Sequence, residues 1–194
     1  MPSLIRSELK ALGLRRDPTT FSHSVRVGMF AQAAALELGM AEDEKRMFTA
    51  ACSFHDIGKL LVPHDLLVKR LPLDDAERAR IREHPLLGVR LVRQLGWRDP
   101  RMIATVRSHH ERWDGKGYPD GLRGELIPPW ARMCAVFDSF DAMVQIRSYN
   151  RIKTVAEAAD ELRRQSGIQF DKTCVELFLS IPEITIKKIQ RYRS

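Results

Sequence analysis

The sequence predicts an all-α fold, a helical bundle with one long loop, and three observations carry that prediction. Apolar residues recur at helical spacing over most of the chain, and no run of alternating β-branched residues is strong enough to form a sheet. Four of the 11 glycines fall between residues 114 and 129, together with Pro119, Pro128 and Pro129. A connection that long in a compact domain is usually functional or disordered.

The elements follow in order. Residues 1–16 read as an N-terminal helical extension. Asp17-Pro18 supplies an N-cap followed by a proline at the first helical position, and Gly39 stands where a helix should stop, giving a helix over 18–38. A second covers 43–57 and ends at Gly58. Asp74 with Glu77 forms a capping box for a third, which Pro85 should end or kink. Further helical patterns cover 97–109, 129–144, 153–165 and 171–180. Residues 17–181 form the expected functional domain, and 182–194 a basic tail carrying Lys187, Lys188, Arg191 and Arg193.

A chain of 194 residues without internal repeats favours one domain with one core. Its 44% hydrophobic and 29% charged content excludes disordered and fibrous classes. No run approaches the 18 or more apolar residues of a membrane span, and residues 1–10 lack the apolar middle of a signal peptide. Cys52, Cys134 and Cys174 are odd in number and widely spaced, which fits a reducing cytoplasm rather than a disulfide framework. A net charge of +7 favours an anionic partner, which could be nucleic acid, nucleotide or acidic lipid. Four of the basic residues lie in the tail, a solvated face by pattern, which weighs against nucleic acid.

The chemistry lies in the histidines. His23 shares an apolar helical stripe with Val27, Phe30, Ala31, Ala34 and Leu38, and His55 one with Phe48, Ala51 and Cys52. Ala131, Cys134, Ala135, Asp138 and Asp141 share another face, which puts carboxylates where burial is expected. A buried carboxylate must be paired, protonated or bound to metal. Each of these residues alone suits an ordinary hydrogen-bonded core position. Together, His23, His55-Asp56, His84, His109-His110 and Asp138 come from five separate elements, and imidazole with carboxylate but no thiolate suits iron, manganese or zinc.

His55-Asp56-Ile57-Gly58-Lys59 resembles the signature of the HD superfamily of metal-dependent phosphohydrolases. The segment His109-His110-Glu111-Arg112-Trp113-Asp114-Gly115-Lys116-Gly117-Tyr118-Pro119 resembles the HHE…GYP segment of HD-GYP domains, all-helical phosphodiesterases of the second messenger cyclic di-GMP. The helix around Asp138-Ser139-Phe140-Asp141 is similar to the one that follows in that family, so the resemblance covers about 21–171. It implies that His23, His55, Asp56 and Asp138 hold one divalent metal ion, and Asp56, His84, His109 and His110 a second, with Asp56 bridging. Iron is the first expectation, then manganese or zinc. Two such ions about 3.5–4 Å apart activate a bridging water and stabilise attacking and leaving oxygens.

The resemblance further implies that Asp56 and Lys59 serve catalysis, with Lys59 reaching a phosphate oxygen, and that Gly117, Tyr118 and Arg147 contact substrate. An ordinary C-terminal lysine and a turn shaped by glycine and proline are the plain alternatives. Trp113 and Trp130 could stack on guanine or pack internally, and His64 reads as a surface residue.

Thr19 stands where some members carry a glutamate that helps hold a third metal, so two are expected, with Asp17 leaving a weaker third site open. Ile146 and Asn150 depart from the family's usual aspartate and basic residue around Arg147. The implied reaction is hydrolysis of cyclic di-GMP to pGpG and onward to GMP. The alternatives are a weakly catalytic binding module and a hydrolase of another cyclic dinucleotide. A regulatory protein partner in trans and a homodimer are open, since only about sixteen residues precede the first core helix.

Overall fold

The computed structural model describes residues 3–12, 18–69, 71–145 and 151–192. Among them lie eleven α-helices: α1 Ser3–Ala11, α2 Pro18–Glu37, α3 Glu42–Ser53, α4 His64–Val68, α5 Asp75–Ile81, α6 His84–Gln94, α7 Pro100–Ser108, α8 Pro129–Val144, α9 Val155–Gln165, α10 Lys172–Ser180 and α11 Glu183–Gln190. Short 3-10 turns cover Ile57–Leu61 and Gly124–Leu126. The described residues contain no strand beyond one bridge between Ser166 and Phe170, so the all-α expectation holds.

α2 is the central helix, packed on α3, α8, α10 and α11. Phe30 meets Phe140 and Phe178 with ring centroids 5.5 Å from each, and Phe140 and Phe178 lie 4.6 Å apart. These side chains, with Phe48 and Phe137, are fully buried and form the apolar core. Burying one such side chain contributes roughly 1.5–3 kcal/mol. The stripe read along α2 is correct except at its end: Leu38 lies past the helix and is 46% exposed. Gly39, at φ +62°, lets the chain turn back there, with Met40 N–H bonded to the Ala35 carbonyl.

Three boundaries differ from the sequence reading. The second helix stops at Ser53, because Phe54 N–H closes on Ala50 and the chain then turns through His55 and Asp56 into the 3-10 segment. The helix expected over 97–109 begins at Pro100, capped by Asp99, whose carboxylate accepts from Arg101 N–H and Met102 N–H. Pro85 does not end α5, which keeps its Asp74–Glu77 capping box; it sits in the first turn of a separate helix, α6. A proline is tolerated there because that N–H has no intrahelical partner anyway.

The basic segment after residue 181 also carries a helix: α11 lays Ile186 and Ile189 into the core while Lys187 faces Glu183. Arg147, Ile146, Asn150 and Asp17 lie outside the described residues.

Candidate metal centre

The long segment after α7 is held in part by a buried carboxylate. Glu111, 4% exposed, accepts the backbone N–H groups of Asp120 at 2.7 Å and Leu122 at 3.0 Å. The place of Glu111 in the HHE…GYP segment does not reveal this role. Trp113 N–H and Asp114 N–H then bond the carbonyls of Gln169 and Ile168, tying the loop to the turn between α9 and α10. Trp130 packs on Phe48 at 5.3 Å and is core, and Trp113 lies under the Arg132 guanidinium. His64 is exposed, as read.

The other five histidines converge with Asp56 and Asp138 on one buried spot. Their orientation is fixed by local backbone. Nδ1 of His55, His84 and His109 donates to the carbonyl three residues earlier, Cys52, Ile81 and Val106, at 2.7, 2.8 and 2.9 Å. A carbonyl can only accept, so each of these rings carries its proton on Nδ1 and turns an Nε2 lone pair inward. His23 is oriented instead by Asp141, whose Oδ2 lies 2.7 Å from Nδ1. Asp141 is itself forked by Arg26 at 2.6 and 2.8 Å, a fully buried chain of three residues. Neither Arg26 nor the role of Asp141 was read from sequence; the signal was present in the carboxylate stripe of α8.

The inward atoms fall into two groups that share Asp56. One comprises His23, His55 and Asp56, and the other Asp56, His84, His109 and His110, the donor atoms of each group lying within 4.8 Å of one another. Asp56 Oδ2 is 3.4 Å from His55 Nε2 and 3.8 Å from His23 Nε2, whereas Oδ1 is 3.2 Å from His84 Nε2 and 3.7 Å from His109 Nε2. Asp138 Oδ1 joins the first group, 3.1 Å from His23 Nε2.

These donors fit a cation. His55 Nε2 and Asp56 Oδ1 are buried with no hydrogen-bond partner, which a metal would satisfy. His84 Nε2 and His109 Nε2 lie 3.2 Å apart, two lone pairs face to face, an arrangement that a cation between them relieves. A proton is not the cation there: burial and the charge of neighbouring imidazoles lower His109 to about 4, and burial with His109 lowers His110 to about 2.

Burial works to raise Asp56 and Asp138, but Lys59 and His55 beside the first and His23 beside the second hold both well below the usual carboxylate range. Both are therefore anionic donors. Lys59 Nζ lies 2.5 Å from Asp56 Oδ2. It thus reaches the centre itself, where the sequence placed it against phosphate.

Above the second group, the Tyr118 ring stacks on His110 at 4.7 Å and 23°. Burial raises its phenol above the ordinary value, so it stays protonated and can donate. A Cβ on Gly117 would lie 2.4 Å from Arg112 N and 2.6 Å from the His110 carbonyl, so only glycine fits beneath Tyr118.

Bundle and donor cluster define a class: a helical domain built around a histidine–aspartate centre that could hold metal. The chain belongs to the HD-domain family, whose profile matches residues 11–174, and its motif series is of the HD-GYP type. It is 38% identical over 165 residues to the cyclic di-GMP phosphodiesterase response regulator RpfG of Xanthomonas campestris, covering 84% of this chain and 44% of that protein. It is 37% identical over 179 residues to a cyclic di-GMP phosphodiesterase of Thermotoga maritima, covering 91% and 49%. A 3'3'-cGAMP-specific phosphodiesterase of Vibrio cholerae is 36% identical over 165 residues, covering 84% and 32%. The chain thus spans half or less of the length of these curated relatives.

Among solved structures, the HD domain of the phosphodiesterase PgpH of L. monocytogenes, in complex with cyclic-di-AMP, aligns with a TM-score of 0.63 at 18% identity over 98% of both chains. Bd1817 of Bdellovibrio bacteriovorus, an HDG"Y"P protein, aligns at 0.64 and 23% identity over 80% of this chain and 50% of its own. At these identities the likeness is one of fold. No helix of the described residues is long and apolar enough to cross a membrane.

Proposed function

We propose that this domain hydrolyses a phosphodiester bond of a cyclic dinucleotide, cyclic di-GMP in the first place, at a centre of two divalent metal ions. The observation that carries the reading is the division of the donors into two groups with one Asp56 oxygen turned to each. His23, His55, Asp56 and Asp138 would hold one ion, and Asp56, His84, His109 and His110 the other. Bound there, such ions supply Lewis acidity and a nucleophilic water of lowered pKa. The donor set favours iron, with manganese or zinc also accommodated.

The residues of the chain do the rest. Imidazoles that ligate metal do so as neutral donors and would not cancel positive charge, so the loaded centre would keep a net attraction for a phosphodiester. Asp56 and Asp138 remain ionised and so keep their oxygens available as ligands. Lys59, anchored through its ammonium to Asp56, stands within the centre as the cation able to turn to a phosphate oxygen. Tyr118 covers the His110 side and presents a protonated phenol, and Gly117 lets the backbone come close. Arg147 completes this reading as a phosphate contact. The free, buried thiols of Cys52, Cys134 and Cys174 suit a reducing compartment, the cytoplasm.

The relatives divide between cyclic di-GMP and 3'3'-cGAMP by name, which makes a mixed cyclic dinucleotide the second reading. The test is chromatography of products after anaerobic loading with ferrous iron or manganese, on a panel of cyclic dinucleotides. Conversion of cyclic di-GMP to pGpG or GMP, lost in Asp56→Ala, is the expected result. Cleavage of cGAMP alone supports the second reading, and no cleavage by protein shown to hold metal overturns both.

A further inference from the structure

The cleft above the donor cluster, about 200 Å³, is lined among others by Arg82, His110, Lys116, Tyr118, Asp138 and Ser139. The cations around it differ in what already binds them. Lys59 rests on Asp56, Arg112 is forked on Asp114 at 3.0 and 2.8 Å, and Arg107 is forked on Asp120. Arg82 and Lys116 make no ion pair within 4 Å among the described residues, Lys116 feeling only the more distant charge of Asp114, and both are exposed.

Both are nonetheless fixed at their backbones. Arg82 closes α5, its N–H bonded to the carbonyls of Arg78 and Arg80, two positions before the donor His84. Its guanidinium carbon stands 5.2 Å from the centroid of the Tyr118 ring, whose ring stacks in turn on His110. Guanidinium, phenol and imidazole form one column from the rim to the donors. Lys116 lines the same cleft, its N–H on Asp114 Oδ1 at 3.1 Å, next to the Gly117 backbone that packs against the His110 carbonyl.

We propose that Arg82 and Lys116 clamp the second phosphate of a cyclic dinucleotide, the one not being cleaved; this rests on the hydrolase reading above. A cyclic dinucleotide carries its two phosphodiesters on opposite sides of one sugar–phosphate ring. With one at the donor cluster, the other faces the rim, where two uncommitted cations wait. The planar Arg82 fork suits two phosphate oxygens at once, and Lys116 adds a point charge. The pair therefore selects a ring with two phosphates over a diester with one.

The experiment compares cyclic di-GMP with bis(4-nitrophenyl) phosphate, which has a single phosphate, on metal-loaded protein. Arg82→Gln and Lys116→Gln should each raise KM for cyclic di-GMP about tenfold, as expected for one lost charge-assisted hydrogen bond. The value of kcat, and turnover of the single-phosphate diester, should hold. Arg82→Lys should recover part of the loss. Anisotropy titration with a fluorescent, hydrolysis-resistant phosphorothioate of cyclic di-GMP should show the same weakening without any turnover. Variants that impair both substrates alike, or neither, overturn the clamp. Intact protein that cleaves the nitrophenyl diester but no cyclic dinucleotide overturns the function proposed above, and the clamp with it.

Discussion

The five imidazoles of the centre are set by two different devices. His55, His84 and His109 are locked by carbonyls of their own chain turn, which hold a proton on Nδ1 and turn Nε2 inward. His23 depends on a partner far away in sequence, Asp141, and Asp141 on Arg26. Asp141→Asn should leave the fold in place and weaken metal binding about 10–100-fold, as outer partners of ligating histidines do. A fluorescence-monitored metal titration checks it, with circular dichroism as the control for folding. Arg26→Met leaves the Asp141 charge buried and half-partnered, and should lower stability by about 3–5 kcal/mol. Denaturant unfolding measures that directly. A loss below about 1 kcal/mol would mean that Asp141 has another source of compensation.

At the scale of elements, the centre depends on close packing between segments that sequence periodicity treats separately. A Cβ on Gly58 would lie 1.9 Å from the His84 carbonyl and 2.5 Å from Gly88 N. The 3-10 turn behind Asp56 and the first turn of α6 thus touch backbone to backbone. Gly58→Ala must push Asp56 away from His84, and should cost about 3 kcal/mol of stability together with the metal site. Thermal unfolding and metal content are the readouts.

This contact also marks what could be read beforehand. The starts of α2 and α5 were legible from Pro18 and from the Asp74–Glu77 capping pair, because such start signals are local. α6 was not, because Pro85 at a first turn and Pro85 at a last turn are the same letter. The end of α3 was hidden because His55 continues the helical stripe although its ring bonds a carbonyl instead. The histidine series was legible as a group, and His23, His55, His84, His109 and His110 do converge with Asp56 and Asp138. Arg26 and Glu111 were not legible, since their roles exist only once α8 and the loop are folded against them.

For the molecule as a whole, the histidines write a pH profile into stability. Burial lowers His109 and His110 from 6.5 to about 4 and about 2, so the stability they contribute is complete above pH 6.5 and is lost as pH falls towards 4. Burial opposes charge at His23, but Asp138 and Asp141 prevail and raise it from 6.5 to about 9; its contribution is complete below pH 6.5 and lost as pH rises through 9. The metal-free protein should therefore be most stable near pH 6.5, with a melting midpoint that falls on both sides. Calorimetry of chelator-treated protein between pH 4.5 and 9 tests this. A midpoint that climbs steadily from pH 6.5 to 9 would contradict the ion pair assigned to His23.

Asp56 is shared by the two groups of donors. The most direct measurement is therefore the number of ions held per chain after anaerobic loading with ferrous iron and desalting, for the intact protein and for Asp56→Ala. Two are expected for the intact chain and fewer than one for the variant. A single ion in the intact chain, or two retained without Asp56, would contradict the shared carboxylate.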